Sequence, residues 1–183
     1  MSTPEVKGAL GPENVLVERA RIGDGTAFAA LVIRHRDAIY TIARNMCATF
    51  RSCEEVIYEA SLTAWRDLGS LPAGARFETW LYGITMKIAL AHRQRARRNR
   101  RCSLEIGGCA ELERRTSKLN DLAGLLRAAL ECIDDGTRAA FVLRYVLQLP
   151  SEEVAVILQT SVRAVRREVH RARRFLCSII YRL

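Results

Sequence analysis

The side chains most able to do chemistry lie near the end of the chain. Arg163, Arg167, His170 and Arg174 recur at steps of three and four, so a helix would align them on one face. Arg166, Arg171 and Arg173 flank that row, and Glu168 is the only acid among them. Guanidinium groups in such an array suit a polyanion, because the planar fork pairs with phosphate oxygens or with the two major-groove acceptors of guanine. Arg163, Arg166, Arg167, His170, Arg171 and Arg174 are therefore candidates for duplex contact, with Arg163, Arg166 and Arg167 placed to reach base edges. The competing reading is a solvated face on an amphipathic helix, but such faces usually mix signs.

Two further arrays stand apart from this one. Arg93–Arg101 holds six arginines in nine positions, and no acid occurs between Glu78 and Glu105. Phe77, Trp80 and Tyr82 stand at the start of that segment, where aromatics can support unstacked bases; core packing competes, most strongly for Trp80. Glu54, Glu55 and Glu59 form an acidic edge within a basic half of the chain. That edge suits a protein partner with basic residues, or is ordinary helix-surface charge.

Reaction chemistry finds little support. His35, His92 and His170 fall in three separate segments, with His35 read as a partly buried spacer, and no phosphate loop, nucleophile motif or metal motif occurs. The six cysteines form no C-x-x-C pair and no zinc spacing, so buried small hydrophobes are expected, with Cys102 and Cys109 as exposed linker thiols. No enzyme, cofactor or metal is expected.

Helices must position these groups. Pro150 to Arg174 reads as two helices with a tight turn: Ser151 as N-cap, Glu152 and Glu153 in the first turn, a break at Gln159-Thr160, and Ser161 capping the second helix. Val162, Val165, Val169, Ala172 and Leu176 form the apolar stripe of that second helix, which makes the pair a helix-turn-helix. Upstream, Glu13 opens a short helix that Gly23-Asp24-Gly25 ends. A long helix follows, with Phe28, Leu31, Val32, His35, Ile39, Ile42, Ala43 and Met46 on one face. Ser52-Cys53-Glu54-Glu55 fits a capping box for a third helix, which carries Trp65, and residues 69–75 have loop chemistry. The next helix starts near Arg76–Glu78 with Trp80, Ile84, Ile88 and Ala91 as its inner stripe. Leu122 to Ile133 and Arg138 to Leu147 make two more. No strand pattern appears, so the expected fold is all-α: two small helical domains on a flexible linker, with a disordered N-terminus at 1–12, a first domain at 13–101, a linker at 102–120 and a helix-turn-helix domain at 121–183.

The composition agrees. The chain has 183 residues, 49% apolar, with a formal net charge of +9, enough to form cores and to favour a polyanionic or acidic partner. No apolar run reaches membrane-spanning length and no signal-type core occupies the first residues, so a cytoplasmic protein is expected.

In this order the residues resemble bacterial sigma factors of the extracytoplasmic-function type. EEVIYEASLTAWRDL is similar to the family's acidic clamp-docking segment, ARFETWLYGI with the arginine tract to the segment that opens the −10 element, and RAAFVLRYVLQLPSEEVAVILQTSVRAVRREVHRAR to the −35-binding domain. The resemblance implies core RNA polymerase and promoter DNA as partners, with an anti-sigma factor as a third. It implies polymerase contact through Glu54, Glu55, Glu59 and Trp65. It implies capture of a flipped −10 base by the 69–76 loop with Ser70, Gly74, Ala75 and Phe77, and a strand held by Lys87, Arg93, Arg97 and Arg98. This sequence departs from the family at Tyr58 (usually Gln), Ser61 (Phe), Lys87 (often Asn) and Gln159 (commonly Gly). A sigma-like decoy that sequesters another regulator, or a stand-alone helix-turn-helix repressor, are the alternatives.

Overall fold

Local sequence signals set most helix ends. Asp24 caps the second helix through its carboxylate, which accepts from the Thr26 and Ala27 N–H groups. Just before it, Gly23 takes a φ of +94°, and its N–H and that of Asp24 reach back to the carbonyls of Ala20 and Arg19. This is a Schellman stop, at the residue type best able to adopt it. The computed structural model describes residues 12–101 and 129–180, and among them every regular element is helical. The expectations for residues 1–11, for the linker, for Cys102 and Cys109, and for most of the 122–133 helix lie outside the described residues.

The elements are α1 (Glu13–Arg21), α2 (Gly25–Met46), α3 (Phe50–Arg66), a 3-10 turn (Leu68–Ser70) and α4 (Phe77–Arg101). After the end of a helix at 129–131 come α5 (Asp135–Phe141), a π-helical turn (Val142–Val146), α6 (Ser151–Ile157) and α7 (Val162–Ile180). The wide turn is closed by the Leu147 N–H on the Val142 carbonyl at 3.0 Å.

Several starts differ from the sequence reading. α3 begins at Phe50 because Thr49, not Ser52, is its cap: the Thr49 hydroxyl accepts the Ser52 N–H at 3.2 Å. Ser151 opens α6 without a side-chain cap bond, Pro150 standing in the cap position. Asp134 caps α5 through the Thr137 N–H at 2.9 Å, so the Asp-Asp-Gly break is also a start.

The long face of α2 is buried as its periodicity requires, Val32 being half-buried at its edge. On α4 the buried stripe is Phe77, Leu81, Tyr82, Thr85, Met86, Ile88 and Ala89, while Trp80, Ile84 and Ala91 are only half-buried. The stripe is rotated because α4 is covered on two sides, by α2 and α3 and also by α6. One apolar cluster joins α1, α2 and the start of α4. A second joins the end of the 129–131 helix with Phe141, Ala172 and Leu176. The third crosses the chain, with Ile42, Met46, Cys53, Met86 and Ala89 packing with Ala140, Leu143, Val154 and Val165. The two helical halves thus share a core. Each fully buried aliphatic side chain in it contributes about 1.5–3 kcal/mol. Cys47 and Cys53 are buried there, and burial beside Cys53 pushes the Cys47 thiol up to about 12, whereas Cys132 and Cys177 are exposed against expectation.

Candidate nucleic-acid interface

α7 has two faces of opposite character. Val165, Val169, Ala172 and Leu176 are buried and Val162 half-buried, as the stripe requires. Arg163, Arg166, Arg167, His170, Arg171 and Arg174 are all exposed, Arg166 and Arg167 with about 70% of their side-chain area free (70% and 73%). Ser161 caps the helix by accepting the Ala164 N–H at 3.1 Å. The turn before it is a Schellman stop, with Thr160 and Gln159 N–H groups on the Ala155 and Val156 carbonyls and Gln159 at a φ of +50°. That left-handed backbone is one that glycine adopts at least cost.

The lone acid on α7 is an anchor. The buried Thr137 hydroxyl lies 2.7 Å from Glu168 and 2.6 Å from Asp134, tying α7 to the start of α5. The Thr137 hydroxyl, then Arg167 and Arg171, hold the Glu168 carboxyl below the usual range despite some burial. This role was not legible in the sequence, where Glu168 was simply an exception to a basic row.

The loop before α4 exposes Ser70, Gly74 and Ala75. Gly74, at a φ of +77°, occupies the position of a tight turn that needs a left-handed backbone, and the Ala75 N–H closes the turn on the Pro72 carbonyl at 3.1 Å. The Arg21 guanidinium pins the loop to α1 through the Leu71 carbonyl at 2.6 Å. A cleft of about 600 Å³ opens between this loop and α1. Phe77 does not join the exposed set: it is 2% exposed and packs in the core, with Trp80 at a ring distance of 5.9 Å, so it offers no face to a base. His35 is buried between the Tyr82 hydroxyl and Glu13, each at 3.2 Å, as a spacer should be.

Along α4, Lys87 and Arg98 are exposed. Arg93 is not. It is 4% exposed, donating to Asp135 at 2.5 Å, to Glu131 at 3.0 Å and to the Met46 carbonyl at 3.3 Å. Arg97 is half-exposed and pairs with Asp135 at 3.2 Å. The expectation that Arg93 faces a DNA strand is corrected: acids of the second half take its donors. Arg138, 1% exposed, completes the cluster by donating to Glu131 at 3.0 Å, to the Asn45 carbonyl at 2.5 Å and to the Leu130 carbonyl at 3.3 Å. Burial works to raise the Glu131 pKa, but Arg138 and Arg93 outweigh it and hold the carboxyl below its ordinary range. Arg138 opens the helix expected over Arg138 to Leu147, and no local sequence signal marked it as buried.

On α3 the acids Glu54 and Glu55 point outward with Tyr58, which is 71% exposed, and Arg51 pairs with Glu55 at 3.1 Å. Glu59 is half-exposed and meets His92 of α4 at 2.8 Å. Trp65 is partly covered by Phe28 at a ring distance of 5.0 Å. No group of three potential metal ligands occurs among the described residues, and no helix among them is long and apolar enough to cross a membrane.

Residues 31–99 match the family model of Sigma-70 region 2, and residues 123–176 that of Sigma-70, region 4. The chain is similar to the ECF RNA polymerase sigma factor SigW of Bacillus subtilis (strain 168), at 24% identity over 172 residues, covering 87% of this chain and 92% of the relative. It is similar to the RNA polymerase sigma factor CnrH of Cupriavidus metallidurans, at 27% identity over 180 residues, covering 92% and 94%. The solved structure of CnrH in complex with the cytosolic domain of CnrY matches this fold with a TM-score of 0.71 at 25% identity, over 92% of this chain and 96% of that one.

Proposed function

This chain belongs to the sigma-70 family, in its extracytoplasmic-function branch, and from that premise we infer that it is an alternative sigma factor that binds core RNA polymerase and directs promoter recognition and melting. The observation that carries this reading is α7: its apolar stripe is buried while its row of guanidinium groups is left in solvent beside a tight turn. That is the form of a recognition helix, whose outer arginines hold phosphates while its N-terminal side chains meet base edges.

On this reading residues 13–101 are the region-2-like unit, 102–120 the linker and 121–183 the region-4-like unit. Arg163, Arg166 and Arg167 read the −35 bases, with His170, Arg171 and Arg174 on the backbone. Ser70, Gly74 and Ala75 receive a base flipped from the −10 element, and the adjoining cleft gives it room. Lys87 and Arg98 hold the strand, joined by Arg97. Glu54, Glu55, Glu59 and Trp65 dock on polymerase, with Tyr58 at the centre of that face. The chain carries no reaction chemistry of its own and works in the cytoplasm. An anti-sigma factor is proposed as a further partner; CnrH, for comparison, is solved with the cytosolic domain of CnrY.

The test is run-off transcription from fragmented genomic DNA with purified core polymerase and this chain, followed by sequencing of the transcripts. A set of starts sharing one −35/−10 pair is expected. No start above the core-only background refutes the reading.

A further inference from the structure

A second cleft, of about 900 Å³, runs between α4 and α6, a volume within the range of small-molecule sites. Its walls are apolar: Trp80, Ile84 and Leu90 on α4, with Val156 and Leu158 across from them. Val156 is 67% exposed there. Thr79, Gly83 and Lys87 of α4 also line it. They stand four apart, so they form one row along the helix, about 12 Å from end to end at the helical rise per residue.

Each member of that row is unusual for its place. The Thr79 hydroxyl is buried and has no hydrogen-bond partner. Thr85, further along the same helix, donates to the Leu81 carbonyl at 2.9 Å. Thr79 lacks that outlet because the residue four back, Ala75, lies in the loop before α4. A buried hydroxyl without a partner is costly and calls for an acceptor. Gly83 sits in a helix interior, where glycine is less stable than alanine. Neither strain nor crowding calls for it: its backbone is not left-handed, and a β-carbon would meet nothing nearer than the Ile157 carbonyl at 4.0 Å. The missing side chain instead keeps the floor of the cleft open. Lys87 is exposed and, among the described residues, joins no ion pair. The other charges at the rim are matched, Arg76 with Glu153 and Glu78.

The cleft therefore offers an unmet donor at one end of the row, an unbalanced cation at the other, and apolar walls between. We propose that it binds a medium-chain carboxylic acid that carries a second oxygen at its far end. The carboxylate sits on the Lys87 ammonium, the chain lies over Gly83, and the far oxygen accepts from the Thr79 hydroxyl. Lys87 is also assigned to the −10 strand, so an effect of the acid on transcription rests on the sigma reading. Binding itself is a property of the chain alone.

The test is isothermal titration calorimetry on the full chain without polymerase, with ω-hydroxydecanoate as the probe. One saturable site is expected. Decanoate, which lacks the far oxygen, should bind about fivefold more weakly, the worth of one neutral hydrogen bond. Thr79→Val should bring ω-hydroxydecanoate down to the level of decanoate and leave decanoate unchanged, and Thr79→Ser should keep the wild-type preference. Lys87→Gln should weaken both acids about tenfold, as loss of a charged partner does, and leave the neutral decanediol unaffected. Gly83→Leu, which fills the floor, should abolish binding of both acids. No saturable heat at millimolar probe overturns the proposal. So does binding that survives Gly83→Leu, or a Thr79→Val loss that is equal for the two acids. Run-off transcription with core polymerase separates the two ideas: its absence with the wild-type chain refutes the sigma reading and leaves calorimetry to decide the cleft.

Discussion

Arg138→Ala tests whether the two halves are held together by the buried charge cluster. The wild-type guanidinium serves three acceptors: Glu131, and the carbonyls of Asn45 and Leu130. Truncation leaves Glu131 with Arg93 as its partner, so that carboxylate is not stranded. It does orphan two backbone carbonyls in a site that is 1% exposed at Arg138. An orphaned buried acceptor costs about 1–3 kcal/mol, and breaking a buried ion pair from one side costs about 3–5 kcal/mol. A loss of about 3–4 kcal/mol is expected, near the lower end because of Arg93. With a urea slope of about 2 kcal/mol per molar, the unfolding midpoint should fall by about 1.5–2 M, followed by far-UV circular dichroism. Arg138→Lys keeps the charge but not the fork and should fall between. Arg138→Met with Glu131→Leu removes donor and acceptor together and should recover part of the loss. A midpoint for Arg138→Ala within about 0.5 M of wild type would refute the argument, because at that slope the loss would be about 1 kcal/mol or less, well short of the expected value.

Three other outcomes follow from the geometry. Arg167→Ala should weaken binding to the preferred −35 duplex by about 1–3 kcal/mol and a scrambled duplex by much less, measured by fluorescence anisotropy; equal losses would make Arg167 a phosphate contact only. Gln159→Gly should stabilise the chain by up to about 1 kcal/mol in thermal melts, since a left-handed φ of +50° strains any residue with a β-carbon; a lower midpoint would mean the Gln159 side chain matters more than its backbone. Stability should be flat near neutral pH and fall below about pH 5. The sign follows because Glu131, Asp134 and Glu168 are all held below their ordinary values, by Arg138 and Arg93 against burial, by Thr137 against burial, and by the Thr137 hydroxyl first. Each binds fewer protons folded than unfolded, so its contribution is complete above the ordinary carboxylate range and lost as pH drops through the depressed value. A midpoint in urea that rises on acidification would contradict this.

What could be read from the sequence was what repeats along one helix. The stripe of α7, the exposed arginine row and the buried face of α2 all follow from steps of three and four, because one side of each helix meets a single environment. On α4 the rule held for Ile88 alone: Trp80, Ile84 and Ala91 are half-buried, and the structure instead buries Phe77, Leu81, Tyr82, Met86 and Ala89. A helix covered from two sides has no single apolar face, and periodicity then reports an average of two partners. The same limit explains Arg93 and Arg138. Nothing within ten residues of Arg93 announces an acid, because its partners are Glu131 and Asp135, reached only by tertiary packing across the linker. A run of like charge reads as a surface when its counter-ions are distant in sequence. The arginine tract is thus two things at once: Arg98 lies in solvent, while Arg93 five positions earlier is buried against Glu131 and Asp135. One helix is thus part core strut and part solvated cationic face, and charge counting along the sequence cannot separate the two.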